Sequence, residues 1–153
     1  MNDIHIRTIN SQKAAVVKKN GSLENLTDLL SKALGEVDSV LHSFSISPTG
    51  PAFARYLEVG DTTIVFEAGF PINEEVSEDG IEMIELPGGE ALTTLYVGPY
   101  EGLDDVHNQM KNWMNENSRL PSGDPWEVYV TDPTTEPDQA KWQTEVFWPL
   151  KAI

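Results

Sequence analysis

No cysteine occurs among the 153 residues, which removes disulfide frameworks, thiolate metal sites and cysteine nucleophiles together and favours a reducing compartment. Basic residues are scarce as well. Ten Lys and Arg stand against 25 Asp and Glu, a formal net charge of -15, and a surface of that sign opposes nonspecific attraction to phosphate backbones or anionic lipid. Direct nucleic-acid binding and membrane-surface roles are therefore disfavoured. No stretch approaches the roughly 20 apolar residues of a membrane span, and Met1 to Lys19 breaks its apolar positions with charges instead of forming a signal-like apolar run. The expected location is cytoplasmic.

Other signatures are missing too. Pro87-Gly88-Gly89 follows one strand pattern and opens another instead of a helix, so it is not a phosphate-binding loop, and no Gly-x-Ser-x-Gly elbow is present. His5, His42 and His107 are far apart and lack metal-ligand spacing with carboxylates. Neither a metal nor a cofactor is expected. What remains is an ordinary globular composition, with 39% apolar and 23% charged residues, in a length that fits one domain and buries roughly two thirds of its unfolded surface.

Ile4, Ile6 and Ile9 read as a short extended segment, and Ala14 to Val17 as a strand beyond the turn-like Asn10 and Ser11. From Ser22 the period changes. Leu23, Leu26, Leu29, Leu30, Ala33, Leu34 and Val37 form one stripe of an amphipathic helix, with Ser22 placed to cap its first amides. Ser45 to Pro51 is a loop, and Phe53 to Val59 with Thr62 to Ala68 predict a hairpin turned at Gly60 and Asp61. An acidic connection, Asn73 to Gly80, leads to a strand over Ile81 to Leu86.

The order then recurs. Ala91 to Val97 predicts a strand, and Leu103, Val106, Met110, Trp113 and Met114 mark the apolar face of a helix over about Pro99 to Asn117. Strands over Trp126 to Asp132 and Gln143 to Leu150 follow, joined through Pro133 to Lys141. Glu67, Phe70, Pro71 and Ile72 are matched by Glu145, Trp148, Pro149 and Leu150, and Tyr56 and Tyr129 hold similar middle-strand positions. The reading is a single α+β domain. It consists of two tandem strand-helix-strand-strand modules, about 1-72 and about 81-153, related by a pseudo-twofold, each with a helix covering one sheet face.

Three blocks carry a family resemblance: Gly98-Pro99-Tyr100 with Leu103, the run from Pro125-Trp126-Glu127-Val128-Tyr129 to Pro133, and Thr144-Glu145-Val146 with Trp148-Pro149-Leu150. Across essentially its whole length the chain resembles the GyrI-like small-molecule-binding domain family, the effector-binding module of many multidrug-sensing regulators. The resemblance implies a concave antiparallel sheet with helices on one face, curved around a ligand groove, and a buried glutamate that pairs with hydrophobic, often cationic, compounds. Many members carry His two residues before the Gly-Pro-Tyr block, where this chain has Tyr96. The first repeat begins by about residue 13, leaving no room before it for a DNA reader, so a stand-alone module is implied.

Alternation along the strands places Glu127, Tyr129 and Thr131 on one face and Trp126, Val128 and Val130 on the other, the latter suited to the helix side. The expected groove face combines Tyr96, Tyr129, Glu145 and Phe147, with Glu67, Val65 and Tyr56 lining it from the other module and Trp142 at its rim. Glu145 is the expected groove acid. A carboxylate among aromatics is expensive to ionise without a partner, and a ligand cation facing the rings would add roughly 0.5 to 2 kcal/mol per good contact. Trp113 is expected to be core.

Three functions follow from these residues. The leading one is binding of a hydrophobic or cationic small molecule. The second, implied by stand-alone relatives similar to cyclopropanoid cyclopropyl hydrolases, is detoxification of DNA-alkylating compounds, with Glu145 activating water and Tyr129 or Tyr96 bonding the carbonyl that collects charge. The third is an acidic inhibitor that contacts DNA gyrase. It is implied by the resemblance, since that family includes proteins that inhibit DNA gyrase, together with the absence of Lys and Arg between Arg55 and Lys111, an interval holding thirteen Asp and Glu. Monomer and homodimer both stay open.

Overall fold

A computed structural model of the chain describes residues 3–131 and 136–152. The fold is α+β, with antiparallel strands and two helices. It divides into two compact units, Ser11–Pro87 and Met1–Asn10 with Gly88–Ile153.

In the Ser11–Pro87 unit, which follows strand β1 (His5–Ile9) in sequence, the strands are β2 (Gln12–Ser22), β3 (Phe53–Val59), β4 (Thr63–Pro71) and β5 (Glu82–Leu86), in the order β3-β4-β2-β5. Helix α1 (Leu26–Ser43) buries Ala33, Val37 and Leu41, whose spacing of four keeps them on one side. Ser22 caps as its sequence position suggests, but its Oγ accepts from Glu24 N at 3.2 Å and so starts a 3-10 turn at Leu23–Asn25, ahead of α1. Helix α1 covers the face of odd-numbered β2 residues: Lys19 pairs with Glu36 at 2.9 Å, and Gly21 lies against the Leu29 side chain. Gly69 of β4 sits opposite Val16, so close to β2 that an added Cβ would lie 1.8 Å from the Ala15 carbonyl oxygen.

The other unit contains β1 (His5–Ile9), β6 (Gly89–Val97), α2 (Leu103–Glu116), β7 (Trp126–Tyr129) and β8 (Gln143–Pro149), with strand order β1-β6-β8-β7. A 3-10 turn at Tyr100–Gly102 precedes α2, so the helix proper starts later than Pro99. Leu103, Val106, Met110 and Met114 of α2 pack on Leu92, Val146 and Leu150, with Tyr96, Trp113 and Trp148 at the margin. Full burial of such a side chain contributes about 1.5 to 3 kcal/mol before the entropy of ordering is subtracted. The β7 strand ends at Tyr129, three residues short of the expected Asp132. Asp132, with Pro133 to Thr135, lies outside the described residues.

Each unit thus repeats one order of elements, but the edge strands do not follow the chain. Segment β1 precedes β2 in sequence yet pairs with β6, while β5 precedes β6 yet pairs with β2. The reason is available edges. Strand β2 is flanked by β4 and β5, whereas β6 has β8 on one side only and accepts β1 on the other. Repeat boundaries at about 72 and 81 therefore differ from the boundaries of the compact units.

Candidate functional site

Strand register decides which side chains share a face. In the unit holding α2, Tyr96 and Tyr129 both stand opposite Thr144, and Thr94 and Glu127 both stand opposite Val146. Val146 belongs to the α2 core, so Tyr96, Glu127 and Tyr129 lie on the α2 side. Leu95 and Val128 flank Glu145, and Thr93 and Trp126 flank Phe147, on the side away from α2. The expected grouping of Tyr96 and Tyr129 with Glu145 and Phe147 is split between two faces. Trp126 and Val128 likewise lie away from the helix, not toward it. Alternation within each strand holds; the phase between strands was the missing quantity, because it depends on pairing and not on any one strand's pattern.

On the α2 side a buried acid is present, and it is Glu127. Only 4% of the residue is exposed. Its Oε2 lies 2.7 Å from His107 Nε2, and its Oε1 accepts the Tyr129 hydroxyl at 2.9 Å. Bonds of this kind hold a charge that desolvation would otherwise make costly. His107 stands beside core residue Val106 on α2, which directs it toward β7 and β8. There Trp148 Nε1 donates to His107 Nδ1 at 3.1 Å, with the two rings edge to face.

An aromatic wall adjoins the acid. Tyr100 lies 5.6 Å from Tyr129 and 4.7 Å from Trp142 between ring centroids. The turn that presents Tyr100 is fixed from both ends: the Tyr96 hydroxyl donates to Pro99 O at 2.7 Å, and Gly98 N donates to Trp142 O at 2.8 Å. Gly98 has φ 145, a conformation side chains rarely adopt, and a Cβ on Gly102 would fall 2.0 Å from the Tyr96 hydroxyl. Tyr96 thus braces the turn. Trp142, expected at a rim, is half-buried and donates its indole N–H to Glu136 O at 2.7 Å.

Glu145 occupies different surroundings. Its side chain is 32% exposed and lies 3.6 Å from Arg7 Nη1, whose guanidinium also sits over the Phe147 ring. Phe147 stacks on Trp126, with centroids 5.3 Å apart. In the Ser11–Pro87 unit, Glu67 is buried and bound by Arg55 through Nη2 at 2.8 Å and Nε at 2.9 Å. Val65 shares that face two residues away, but Tyr56 stands opposite Phe66 on the α1 side. The two repeat-related glutamates, Glu67 and Glu145, are therefore each beside an arginine. Among the described residues no cluster of three His, Asp or Glu could hold a metal ion.

His107 and Glu127 were not singled out as functional from the sequence. The available signal was the Glu127-x-Tyr129 spacing, which puts acid and phenol on one face. It was outweighed by the habit of turning the more apolar set, Trp126 and Val128, toward a helix.

The model of the GyrI-like small molecule binding domain matches residues 2–151. The chain belongs to this family. No functionally curated protein matches it. Among solved structures, this GyrI-like domain is similar to EcmrR. It is 18% identical over 100% of this chain and 99% of the EcmrR C-terminal domain (TM-score 0.79), and 18% identical over 99% of this chain in a complex of EcmrR with DNA (TM-score 0.86). In the latter the chain spans 58% of the EcmrR length. It is also similar to SAV2435 bound to tetraphenylphosphonium (9% identity, 98% and 94% coverage, TM-score 0.72) and to a hydrolase from Listeria innocua (11% identity, 97% and 91% coverage, TM-score 0.67). At these identities the likeness establishes the fold. Among the described residues no helix is long and apolar enough to cross a membrane.

Proposed function

We propose that this GyrI-like domain binds bulky lipophilic cations in the cytoplasm, with Glu127 as the charged contact and Tyr129, Tyr100 and Trp142 as the aromatic wall. The observation that carries this reading is the 4% exposure of Glu127, bonded to Tyr129, whose ring meets Tyr100 and through it Trp142. A delocalised cation suits such a place. It loses little hydration on entering, gains ring contacts of roughly 0.5 to 2 kcal/mol each, and meets a carboxylate in a medium that screens it weakly. SAV2435, a structural neighbour, holds a cation of this class. Calorimetric titration with tetraphenylphosphonium tests the proposal: saturable one-to-one binding is expected, and no binding at millimolar ligand would overturn it.

Hydrolysis is the second reading, favoured by the bond from His107 to Glu127, which orients a carboxylate as a general base requires. In that case Glu127 takes the role that strand alternation and the family resemblance gave to Glu145. Water adds its oxygen to a cyclopropane carbon and gives a proton to Glu127, while the breaking C–C bond delivers its electrons to a conjugated carbonyl that is then protonated. The product exceeds the substrate by one water. Mass spectrometry of a cyclopropane-containing alkylating compound after incubation separates the readings, since a binder returns it unchanged.

The acidic connection plays no part in either reading. Glu74, Glu75, Glu78 and Asp79 are exposed, and Glu75 already faces Lys13 at 3.5 Å. Replacing all four by their amides should leave tetraphenylphosphonium affinity within about twofold at physiological salt, where exposed charges are screened over roughly 8 Å. A tenfold loss would implicate the connection in binding.

A further inference from the structure

An indole has one polar hydrogen and no acceptor. Because Trp148 Nε1 points that hydrogen at His107 Nδ1 across 3.1 Å, Nδ1 must offer a lone pair. The single proton of a neutral ring then resides on Nε2, which donates it to Glu127 Oε2 across 2.7 Å. An imidazolium would carry hydrogen on both nitrogens and set one N–H against another at Trp148. We propose that Trp148 is a positioning residue that holds His107 as the neutral Nε2–H tautomer. The His107–Glu127 pair then keeps one negative charge, and the site discriminates for monocations against neutral ligands.

Opposing groups surround the ring. Glu127 of β7 lies against Nε2, and the Tyr129 hydroxyl is bonded to that carboxylate's other oxygen. Trp148 of β8 opposes protonation through its N–H, and Lys111, one turn further along α2, adds positive charge from above the Trp148 ring at 5.7 Å. Asp104, one turn earlier on α2, is exposed to solvent and correspondingly screened. Removing the indole N–H frees Nδ1 to take a proton, and the pair becomes imidazolium and carboxylate with no net charge.

The discrimination rests on the cation-binding reading, but the tautomer does not. Long-range proton-nitrogen NMR of the full 15N-labelled chain reads the tautomer without ligand or variant: Nδ1 should appear as an unprotonated acceptor and Nε2 as protonated at neutral pH. In Trp148→Phe, which leaves Nδ1 without its indole donor, the ring should no longer be confined to the Nε2–H form, and Nδ1 should carry a proton. At neutral pH tetraphenylphosphonium should bind about tenfold more weakly to the variant than to the wild type, tenfold corresponding to 1.4 kcal/mol. A wild-type ring protonated at Nδ1, or at both nitrogens, at neutral pH would overturn the proposal even if the variant does not fold. So would an unchanged Nε2–H ring in a folded Trp148→Phe protein. Failure of the wild type to bind tetraphenylphosphonium, with the expected tautomer present, would overturn the discrimination and the cation-binding reading but leave the tautomer assignment standing.

Discussion

Glu127→Gln should weaken binding of a lipophilic cation by roughly 1.5 to 3 kcal/mol, about 10- to 150-fold, and leave a neutral ligand of the same shape nearly unaffected. The substitution isolates charge because the amide can satisfy the same partners. Its oxygen accepts from His107 Nε2, and its nitrogen donates to the Tyr129 hydroxyl, which rotates to accept. The side chain's shape and these two hydrogen bonds are both preserved. Glu145→Gln provides the contrast. That carboxylate is one third exposed and 3.6 Å from Arg7, a pair worth about 0 to 1 kcal/mol, so its loss should change cation affinity less than about threefold. If the domain is instead a hydrolase, Glu127→Gln should spare substrate binding and lower turnover by about 10² to 10⁴. Calorimetry on both variants, with product analysis, decides among these outcomes; equal loss in both would place the charge elsewhere.

Gly69→Ala should be the most destabilising single methyl addition among the described glycines. The new Cβ would sit 1.8 Å from Ala15 O, 2.8 Å from Ala15 C and 2.9 Å from Val16 Cα. All three are backbone atoms of β2, so no side chain can rotate away, and β2 and β4 must separate where nine of their residues pair in register. Overpacking in a core typically costs about 1 to 3 kcal/mol and occasionally more, and a backbone clash belongs at or beyond the top of that range. For a domain of this size about 3 kcal/mol lowers Tm by roughly 6 to 12 °C. Gly35→Ala is the opposite case, since nothing lies within 4 Å of its Cβ on the exposed side of α1. It should stabilise by about 0.5 to 1 kcal/mol. Thermal unfolding of the two variants checks both signs, and a Gly69→Ala protein as stable as the wild type would contradict the β2–β4 packing described.

Much of the fold was legible because it is written in local periods. The leucine stripe from Leu23 to Val37 and the Val106-Met110-Met114 spacing announce two helices. Gly60 marks a hairpin, closed in the structure by Gly60 N donating to Thr63 O at 2.9 Å. The edge strands were not legible, since Ile4, Ile6 and Ile9 signal an extended segment but not which strand will have an edge free to receive it. The site was half legible for the same kind of reason. Glu127 and Tyr129 could be put on one face from spacing alone, as could Tyr96 with its even-numbered neighbours in β6. Joining them to Thr144 and Val146, instead of to Glu145 and Phe147, needed a register that is a property of three strands together. His107 was hidden by distance, because twenty residues and a change from helix to strand separate it from the carboxylate it binds.

The most direct test of the central claim is a crystal structure of the domain with tetraphenylphosphonium. The cation should lie within about 6 Å of the Glu127 carboxylate, the range over which opposite charges and ring faces act appreciably, against Tyr129, Tyr100 or Trp142. A cation seated instead on Glu145 beside Arg7, or on Glu67 beside Arg55, with Glu127 still bound only within the protein, would contradict it.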